Sequence, residues 1–189
     1  MKSLFIKNEF AYDGSQLHSL FAYLGHGLQG DSIVSWIGSC SIPNEHMVDG
    51  EDLLAGETIA GDKMVHFIIE KFNTPLVAAV ALQRLFASIC MDIVREFVND
   101  PVEAAEFRRE GDDIFFGPGK LSISIATVTP VSSVIHFAVN ITNDGTPVRT
   151  AALSDIDMPG EEFARKAMKK FADEISSIDS ATTKVRWVR

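Results

Sequence analysis

The sequence predicts one α+β domain, in which a mixed and largely antiparallel sheet is flanked by helices. Segments typical of strands and helices follow one another in unequal runs, which favours such a sheet over a doubly wound parallel one. Apolar and small polar residues alternate strictly from 121 to 127, the period of a strand with one buried face. The chain has 189 residues, enough to bury a core without metals or disulfides, and we expect residues 1–189 to form a single domain.

The N-terminal region is predicted to contain a short strand and then a helix. Apolar residues between 4 and 10 indicate the strand. Asp13 or Ser15 is expected to cap the helix, because either side chain can accept a hydrogen bond from a free N–H group of the first turn. The apolar residues at helical spacing are Leu17, Leu20, Phe21 and Leu24.

Two further strands and the longest helix follow. The strands are predicted at 33–37 and 64–69, each bounded by Gly and Asp, and an acidic polar segment at 38–61 joins them. The helix is expected to begin after Pro75 and to reach about Val98. Its apolar stripe is predicted at Leu76, Val80, Leu85, Ile89, Ile93 and Phe97.

The second half of the chain predicts a hairpin, a strand and a last helix. The hairpin spans 113–127 and turns at Gly117-Pro118-Gly119. The strand is predicted at 134–141. Asp157 is expected to cap the last helix, with Pro159 in its first turn. Its core stripe is predicted at Phe163, Ala167, Phe171, Ile175 and Ile178.

Composition limits the partners and the compartment. The net charge of −9 repels phosphate backbones, so we expect no nucleic acid partner. The basic segment at 184–189 is expected to add an edge strand. Two cysteines suit a reducing compartment, and we found neither a secretion signal nor an apolar run that spans a bilayer. We therefore expect a cytoplasmic protein that binds a small molecule and no membrane, and we leave a homodimer open.

The segment from Cys40 to Asp52 is the densest in chemically active side chains. It includes Cys40, His46 and Asp49 and joins two strands, where rigid scaffolds often carry function. His66 and Glu70 follow on the next strand and project from the same face, where polar groups are costly unless they are paired or used. One interpretation gathers these side chains into a polar site. The other makes the acids a solvated loop and His66 a hydrogen-bonded residue of the sheet.

Four more polar residues are candidates for the same site. Gln83 interrupts the apolar stripe of the long helix, and Lys120 begins a strand directly after a glycine turn, where its ammonium could hold a carbonyl or phosphate oxygen. His136 and Asn140 lie on a later strand. For Gln83 and Lys120 the alternative is an ordinary boundary or surface position.

Four segments resemble a family catalogued only as a domain of unknown function, number 366. They are 13–17, 45–49, 64–70 and 120–127, and the resemblance extends over nearly the whole chain. The family name implies no activity.

A more distant resemblance concerns residues 111–122, which are similar to the stretch of biotin and lipoate protein ligases that ends in a functional lysine. It implies that Lys120 contacts an acyl carbonyl and the adenylate, and that Asn140 lies near the same pocket. It also implies the catalytic fold that these ligases share with class II tRNA synthetases. The sequence departs from the ligases at residues 45–61, which are acidic where the ligases have an Arg- and Gly-rich loop for the acyl-adenylate. It also has no cysteine at 141–147, where octanoyl transferases of the same fold have one.

The leading hypothesis is a small-molecule-binding enzyme with an acyl or acyl-adenylate type pocket. Lys120 would hold an oxygen, and His66 or Glu70 would act as acid or base. One alternative is a non-catalytic binding or dimerisation module on the same fold. Another is a metal-dependent hydrolase that uses His46, Glu51 and His66. The sequence identifies no metal site and leaves the cofactor open, ATP included.

Overall fold

The computed structural model describes residues 1–188, which form a five-stranded main sheet, a three-stranded small sheet and five helices. Two 3-10 turns, at Asn44–His46 and Leu153–Ile156, complete the chain. In chain order the elements are β1 (Lys2–Phe5), α1 (Phe21–His26), β2 (Ser32–Ile42), α2 (Gly50–Ala55), β3 (Ile59–Phe72), α3 (Leu76–Phe97), α4 (Pro101–Ala104), β4 (Phe107–Glu110), β5 (Asp113–Phe116), β6 (Gly119–Lys120), β7 (Ser122–Val128), β8 (Ser132–Asn140) and α5 (Gly160–Thr182).

The main sheet is mixed and largely antiparallel, which confirms the predicted fold class. Its strand order is β1-β2-β3-β8-β7, and only the pair β1 and β2 is parallel. His66 of β3 pairs with Trp36 of β2 and with Ala138 of β8, and His136 pairs with Ile68 and Ile125. Because side chains alternate along each strand, the register puts His66, Ile68, Ala138 and His136 on the same face.

Helices α3 and α5 cover the opposite face and form the main core with it. Phe86 of α3 makes edge-to-face contacts with Phe67 of β3 at 5.0 Å and with Phe171 of α5 at 5.0 Å between ring centroids. By length and composition alone α3 could cross a membrane. Since it buries Phe86, Cys90 and other residues against the sheet, we assign it as the central helix of the core.

The N-terminal segment at 6–26 covers the face that carries the histidines. The ring of Phe10 stacks on Trp36 at 4.6 Å, and the Trp36 indole N–H donates a hydrogen bond to the Phe10 carbonyl oxygen over 3.0 Å. A Cβ at Gly38 would lie 1.8 Å from that oxygen, so the close approach of this segment to β2 requires glycine there.

The small sheet attaches to the main sheet at the β7 edge. β4, β5 and β6 pair antiparallel, and a turn joins β5 to β6 where the hairpin was predicted. The second strand of that predicted hairpin is wrong beyond Lys120, because β7 pairs with β8 of the main sheet. The backbone N–H of Ile114 donates to the Ser122 hydroxyl over 2.9 Å, and the N–H of Leu121 donates to the Ile114 carbonyl over 2.7 Å. These bonds fix β6, and with it Lys120, beside the start of β7.

The first helix begins later than predicted. The Asp13 carboxylate accepts hydrogen bonds from the Ser15 N–H and hydroxyl, which closes a turn in place of a helix cap. Leu20 then has a left-handed backbone (φ 65°), and α1 begins only at Phe21. The prediction was wrong because the local side-chain bonds of Asp13 compete with helix formation.

Three other expectations were also wrong in detail. The buried face of α3 is centred on Phe86, Cys90 and Val94, whereas the predicted stripe residue Leu76 is 47% exposed. Asp157 ends the second 3-10 turn with a positive φ and does not cap α5, which Pro159 precedes directly. Residues 183–188 form no strand of either sheet, and Arg189 lies outside the described residues. The predicted core stripe of α5 is confirmed, with Phe163 and Phe171 fully buried.

Candidate functional site

Two adjoining cavities open beside the β7 edge of the main sheet. The larger one, about 610 Å³, is lined by residues from 49–60, 112–113, 120–124 and 146–150 together with Met64 and Asn140, and we call it the Lys120 groove. The smaller one is about 50 Å³ and reaches the histidine face; we call it the His136 pocket. Its lining consists of Tyr12, Leu17, Ile42, His46, Met47, Val48, Asp49, Asp52, Ile59, Ile123, Ser124, Ile125 and His136. Five residues line both cavities: Asp49, Asp52, Ile59, Ile123 and Ser124.

Lys120 is held firmly at the wall of the groove. Its ammonium lies 2.8 Å from Asp113 Oδ2. Its carbonyl accepts hydrogen bonds from the Asn140 side-chain amide over 3.1 Å and from the Ala151 N–H over 3.0 Å. Asn140 also donates to the Ala151 carbonyl over 3.0 Å, so this buried amide joins β8 to both segments. The sequence-based expectation that Lys120 and Asn140 lie near each other agrees with these contacts.

The groove is strongly acidic. Lys120 is the only Lys or Arg among the described residues that line it. Burial raises the pKa of Asp113, and the adjacent Lys120 opposes that shift. Burial and the neighbouring Asp49 raise the pKa of Asp52. The carboxylates of the groove are Asp49, Glu51, Asp52, Glu57, Asp112 and Asp113.

Gln83 supports the groove from behind. Its side-chain amide donates to Asp112 Oδ2 and to the Ser124 hydroxyl, both over 2.8 Å, and Ser124 donates to Asp112 over 2.6 Å. Gln83 is buried on α3 and is absent from the lining of both cavities, whereas Asp112 and Ser124 belong to it. This explains why a glutamine interrupts the buried face of an apolar helix.

A chain of hydrogen bonds fixes the protonation of two buried histidines. His66 Nε2 lies 3.3 Å from the Gly38 carbonyl oxygen, which can only accept, so this nitrogen carries the proton. Burial lowers the pKa of His66 to about 4, which leaves the ring neutral and makes Nδ1 an acceptor. His136 Nε2 lies 3.1 Å from that nitrogen and therefore donates to it. Burial and the adjacent His66 lower the pKa of His136 well below its ordinary value, so His136 Nδ1 is left unprotonated.

Tyr12 stacks on His136 and completes the polar end of the pocket. The two rings are 3.6 Å apart between centroids and nearly parallel, and both residues line the His136 pocket while being almost fully buried. Burial, the largest cause, raises the pKa of the Tyr12 hydroxyl, which therefore keeps its proton.

The loop after β2 forms the outer wall. His46 Nδ1 lies 2.8 Å from the Asp13 carbonyl oxygen, which ties this loop to the N-terminal segment. Asp49 accepts hydrogen bonds from the N–H groups of Glu51 and Asp52 and so caps α2. His46 lines the small pocket, and Asp49 lines both cavities.

Four of the predicted site residues line neither cavity: Gln83, His66, Glu70 and Cys40. Glu70 is buried and accepts hydrogen bonds from the Leu20 N–H and from the Ser132 hydroxyl. Cys40 packs beside Trp36 among the buried apolar side chains of the histidine face, and burial raises the pKa of its thiol to about 12. His66 is also fully buried, and it is connected to the pocket by its hydrogen bond with His136. We therefore do not include Glu70 or Cys40 in the candidate site.

No group of three or more His, Cys, Asp or Glu side chains within residues 1–188 is arranged to hold a metal ion. His46 lies in the 3-10 turn after β2 and Glu51 in the first turn of α2, whereas His66 is bonded to His136 within the sheet. The metal-dependent hydrolase alternative thus has no ligand set in the described part of the chain.

The sequence analysis missed Tyr12, Asp112 and Ser124 as site residues. Ser124 occupies a polar position of the alternating strand, and Gln83 on the apolar helix indicated that something polar lies opposite. For Tyr12 no local pattern was available, because its partner His136 is distant in sequence and meets it only in the folded chain.

Comparisons with known proteins identify relatives along the whole chain. The sequence model of the family described as Domain of unknown function (DUF366) matches residues 1–186. An uncharacterized protein from Methanocaldococcus jannaschii is 27% identical over 186 residues, which are 95% of this chain and 81% of that protein. The solved structure of a protein of unknown function from Pyrococcus horikoshi is 37% identical and superposes with a TM-score of 0.93, covering 100% of this chain and 99% of that one.

Two ligase structures are similar in fold at low identity. A biotin protein ligase from Leishmania major, in complex with biotin, superposes with a TM-score of 0.64 at 13% identity, covering 91% of this chain and 73% of the ligase. A lipoate-protein ligase A bound with ATP gives a TM-score of 0.58 at 13% identity, covering 93% and 86%. The resemblance in fold to the biotin and lipoate ligases is thereby confirmed.

Proposed function

Because the chain belongs to the family described as Domain of unknown function 366, whose description assigns no activity, we propose its function from the site: it is a small-molecule-binding enzyme whose Lys120 groove takes an acyl compound. The Lys120 ammonium donates a hydrogen bond to the carbonyl oxygen of that compound. The ligases are similar to this chain in fold, and the proposal adds that Lys120 has the role of their functional lysine.

The position of Lys120 is the observation that carries the proposal. One ammonium stands at the wall of a groove of about 610 Å³, within the usual size of a small-molecule site. Asp113 holds the ammonium, and the Asn140 amide holds the backbone carbonyl of the same residue, so little conformational freedom is lost when a ligand binds. A preorganised ammonium polarises a carbonyl and stabilises the oxyanion that forms when a nucleophile attacks.

The charge of the groove narrows the ligand to uncharged carbonyl compounds. The carboxylates of the groove outnumber its single ammonium, and a phosphate or carboxylate group would be repelled by them. A thioester, ester or amide carbonyl carries no such charge. The proposed substrate is accordingly an acyl group already joined to its carrier, and the groove does not favour ATP.

We also propose a compartment and a partner. Both cysteines are free and buried, which agrees with a reducing cytoplasm. The partner we propose is the small acyl compound itself.

The test is binding of lipoamide and lipoic acid, which share an acyl chain and differ in charge at the carbonyl. We expect the native protein to bind lipoamide more tightly than lipoic acid in a calorimetric titration. Lys120→Ala should weaken lipoamide binding about 10- to 100-fold, because a charge-assisted hydrogen bond contributes about 1.5–3 kcal/mol.

Lys63→Ala is the matched control, since Lys63 is an exposed lysine outside the lining of the groove. It should bind lipoamide as the native protein does. Equal binding by Lys120→Ala and Lys63→Ala would remove Lys120 from the site, and failure of the native protein to bind either compound would refute the acyl-compound proposal.

A further inference from the structure

His136 presents a hydrogen-bond acceptor to the small pocket. The bonds from Gly38 through His66 leave its Nδ1 without a proton, and the side-chain hydrogen bond that His136 makes within residues 1–186 uses Nε2. His136 is only 2% exposed and lines the pocket. A ligand group that donates a hydrogen bond to this nitrogen would be stabilised inside the pocket.

The rest of the pocket defines what that group is attached to. Its walls include six aliphatic side chains and Met47, which suit a hydrocarbon chain: Leu17, Ile42, Val48, Ile59, Ile123 and Ile125. Asp49 and Asp52 bring two carboxylates to the same space. A volume of about 50 Å³ holds about three or four water-sized groups, too little for a nucleotide and enough for a small head group with its adjacent carbons.

The two cavities adjoin, and a single ligand that passes their common wall would reach both. Asp49, Asp52 and Ser124 line the groove and the pocket alike. Ile125, which pairs with His136, follows Lys120 by five residues, about 17 Å along an extended strand. The distance from the Lys120 ammonium to the pocket can be shorter than this, because the lysine side chain extends into the groove.

We propose that the His136 pocket binds an amine at the end of an alkyl chain, with His136 Nδ1 accepting a hydrogen bond from the amine and Asp49 and Asp52 supplying the opposite charge. This inference rests on the proposed function, because the other end of the same chain carries the carbonyl that Lys120 holds. The substrate class is therefore an acyl compound with a terminal amino group.

The test compares straight-chain alkyl amides with their ω-amino derivatives of the same chain length, over a series of lengths. Binding is followed by NMR titration of the native protein. At the best length the amino group should tighten binding at least about tenfold, as expected of a charge-assisted hydrogen bond. His136→Phe, which keeps an aromatic ring on Tyr12, should abolish this difference, and so should Asp52→Asn if the histidine variant does not fold.

Two controls separate this inference from the proposed function. Asp92→Asn removes an exposed carboxylate of α3 and should leave the tenfold difference unchanged. Nitrogen-15 NMR of the histidine rings at neutral pH should show His136 protonated at Nε2 and unprotonated at Nδ1, and the amine should shift the Nδ1 resonance.

The outcomes are distinguishable. If the alkyl amides bind and depend on Lys120 but the amino group adds nothing, the inference fails and the proposed function stands. If the ω-amino amides bind through His136 but not through Lys120, the amine pocket stands and the proposed function fails. Protonation of His136 at Nδ1, or no binding of either series, refutes the amine pocket.

Discussion

Glu70 shows how a single buried carboxylate can serve the fold instead of the site. Both of its oxygens accept a hydrogen bond from the Leu20 N–H, at 2.9 and 3.1 Å, and one also accepts from the Ser132 hydroxyl at 2.6 Å. Leu20 has φ 65°, a conformation that costs a branched residue about 1–3 kcal/mol. Glu70 thus compensates for local strain at the point where the N-terminal segment turns into α1.

We expect Glu70→Gln to destabilise the protein by about 1–3 kcal/mol, because the amide replaces one acceptor with a donor beside the Leu20 N–H and the Ser132 hydroxyl. The measurement is urea unfolding followed by circular dichroism. Glu45→Gln, at an exposed position of the loop after β2, should leave the midpoint unchanged. A Glu70→Gln variant as stable as the native protein would show that Glu70 is free to act elsewhere.

At the scale of elements, the β5–β6 hairpin determines where the ammonium of Lys120 stands. Gly119 packs directly on the segment that follows β8: a Cβ there would lie 2.6 Å from the carbonyl carbon and oxygen of Thr150 and 2.7 Å from the nitrogen of Ala151. The Lys120 N–H donates to the Arg149 carbonyl over 3.3 Å in the same contact. The hairpin can approach so closely only because residue 119 has no side chain.

Gly119→Ala should therefore push the hairpin away from Thr150. Backbone atoms cannot yield as a flexible side chain can, so we expect a loss of about 1–3 kcal/mol in the free energy of unfolding. Amide NMR shifts should change at Lys120 and Thr150. Gly25→Ala is the control, since a Cβ in that turn of α1 meets nothing within 4 Å and alanine favours a helix. Unchanged amide shifts at Lys120 in Gly119→Ala would contradict the close packing.

The elements that the sequence predicted well are those with a long, regular pattern. The alternation in 121–127 fixes which side chains of β7 face the sheet's two sides, and the last helix buries Phe163 and Phe171 as its spacing predicts. The start of α1 was not predicted, because besides the local bonds of Asp13 it depends on the carboxylate of Glu70, which is distant in sequence.

The rotation of α3 was mispredicted for a related reason. Leucine and valine at its start satisfy a helical pattern, but Leu76 and Val77 lie beyond the sheet and stay exposed. The buried face instead includes Ala79, Gln83 and Phe86, of which one is small and one is polar. It is this side of the helix that packs against β7 and α5. Spacing alone cannot rank these faces, because apolar residues occur on more than one side of the helix.

The site was predictable only in part. Lys120 and Asn140 follow from the resemblance to the ligases, and the acidic loop was recognised from its composition. The pairing of His66 with His136 could not be derived, because two adjacent strands must first bring Ile68 and His136 into register. The polar residues on β3 were correctly recognised as unusual, yet their partners depend on tertiary structure.

At the scale of the whole molecule, the main sheet separates two buried regions that differ in polarity. The face toward α3 and α5 is almost entirely apolar, whereas the other face buries two neutral histidines and a carboxylate among aromatic rings. Because burial lowers the pKa of both histidines, the unfolded chain binds protons more strongly than the folded chain. The stability of the protein is consequently linked to pH through this face.

The direction of this link follows from the lowered pKa of His66, about 4 in the folded chain against 6.5 for an unperturbed histidine. Between these values the unfolded state binds more protons than the folded state. The stabilisation is complete above about pH 6.5 and is lost as the pH falls toward 4. From pH 7.5 to 5, His66 alone should lower the free energy of unfolding by about 2 kcal/mol, since one pKa unit corresponds to about 1.4 kcal/mol. His136, whose pKa is lowered as well, adds to the same loss.

Urea unfolding at a series of pH values between 7.5 and 5 tests this prediction, in a range where most carboxylates stay ionised. The double variant His66→Gln/His136→Gln should be less stable at pH 7.5 but should show a much flatter dependence on pH. His18→Gln, which removes an exposed histidine, should keep the native slope. Equal stability of the native protein at pH 7.5 and 5 would mean that the folded and unfolded chains take up equal numbers of protons over this range, which contradicts the lowered pKa values of the two buried rings.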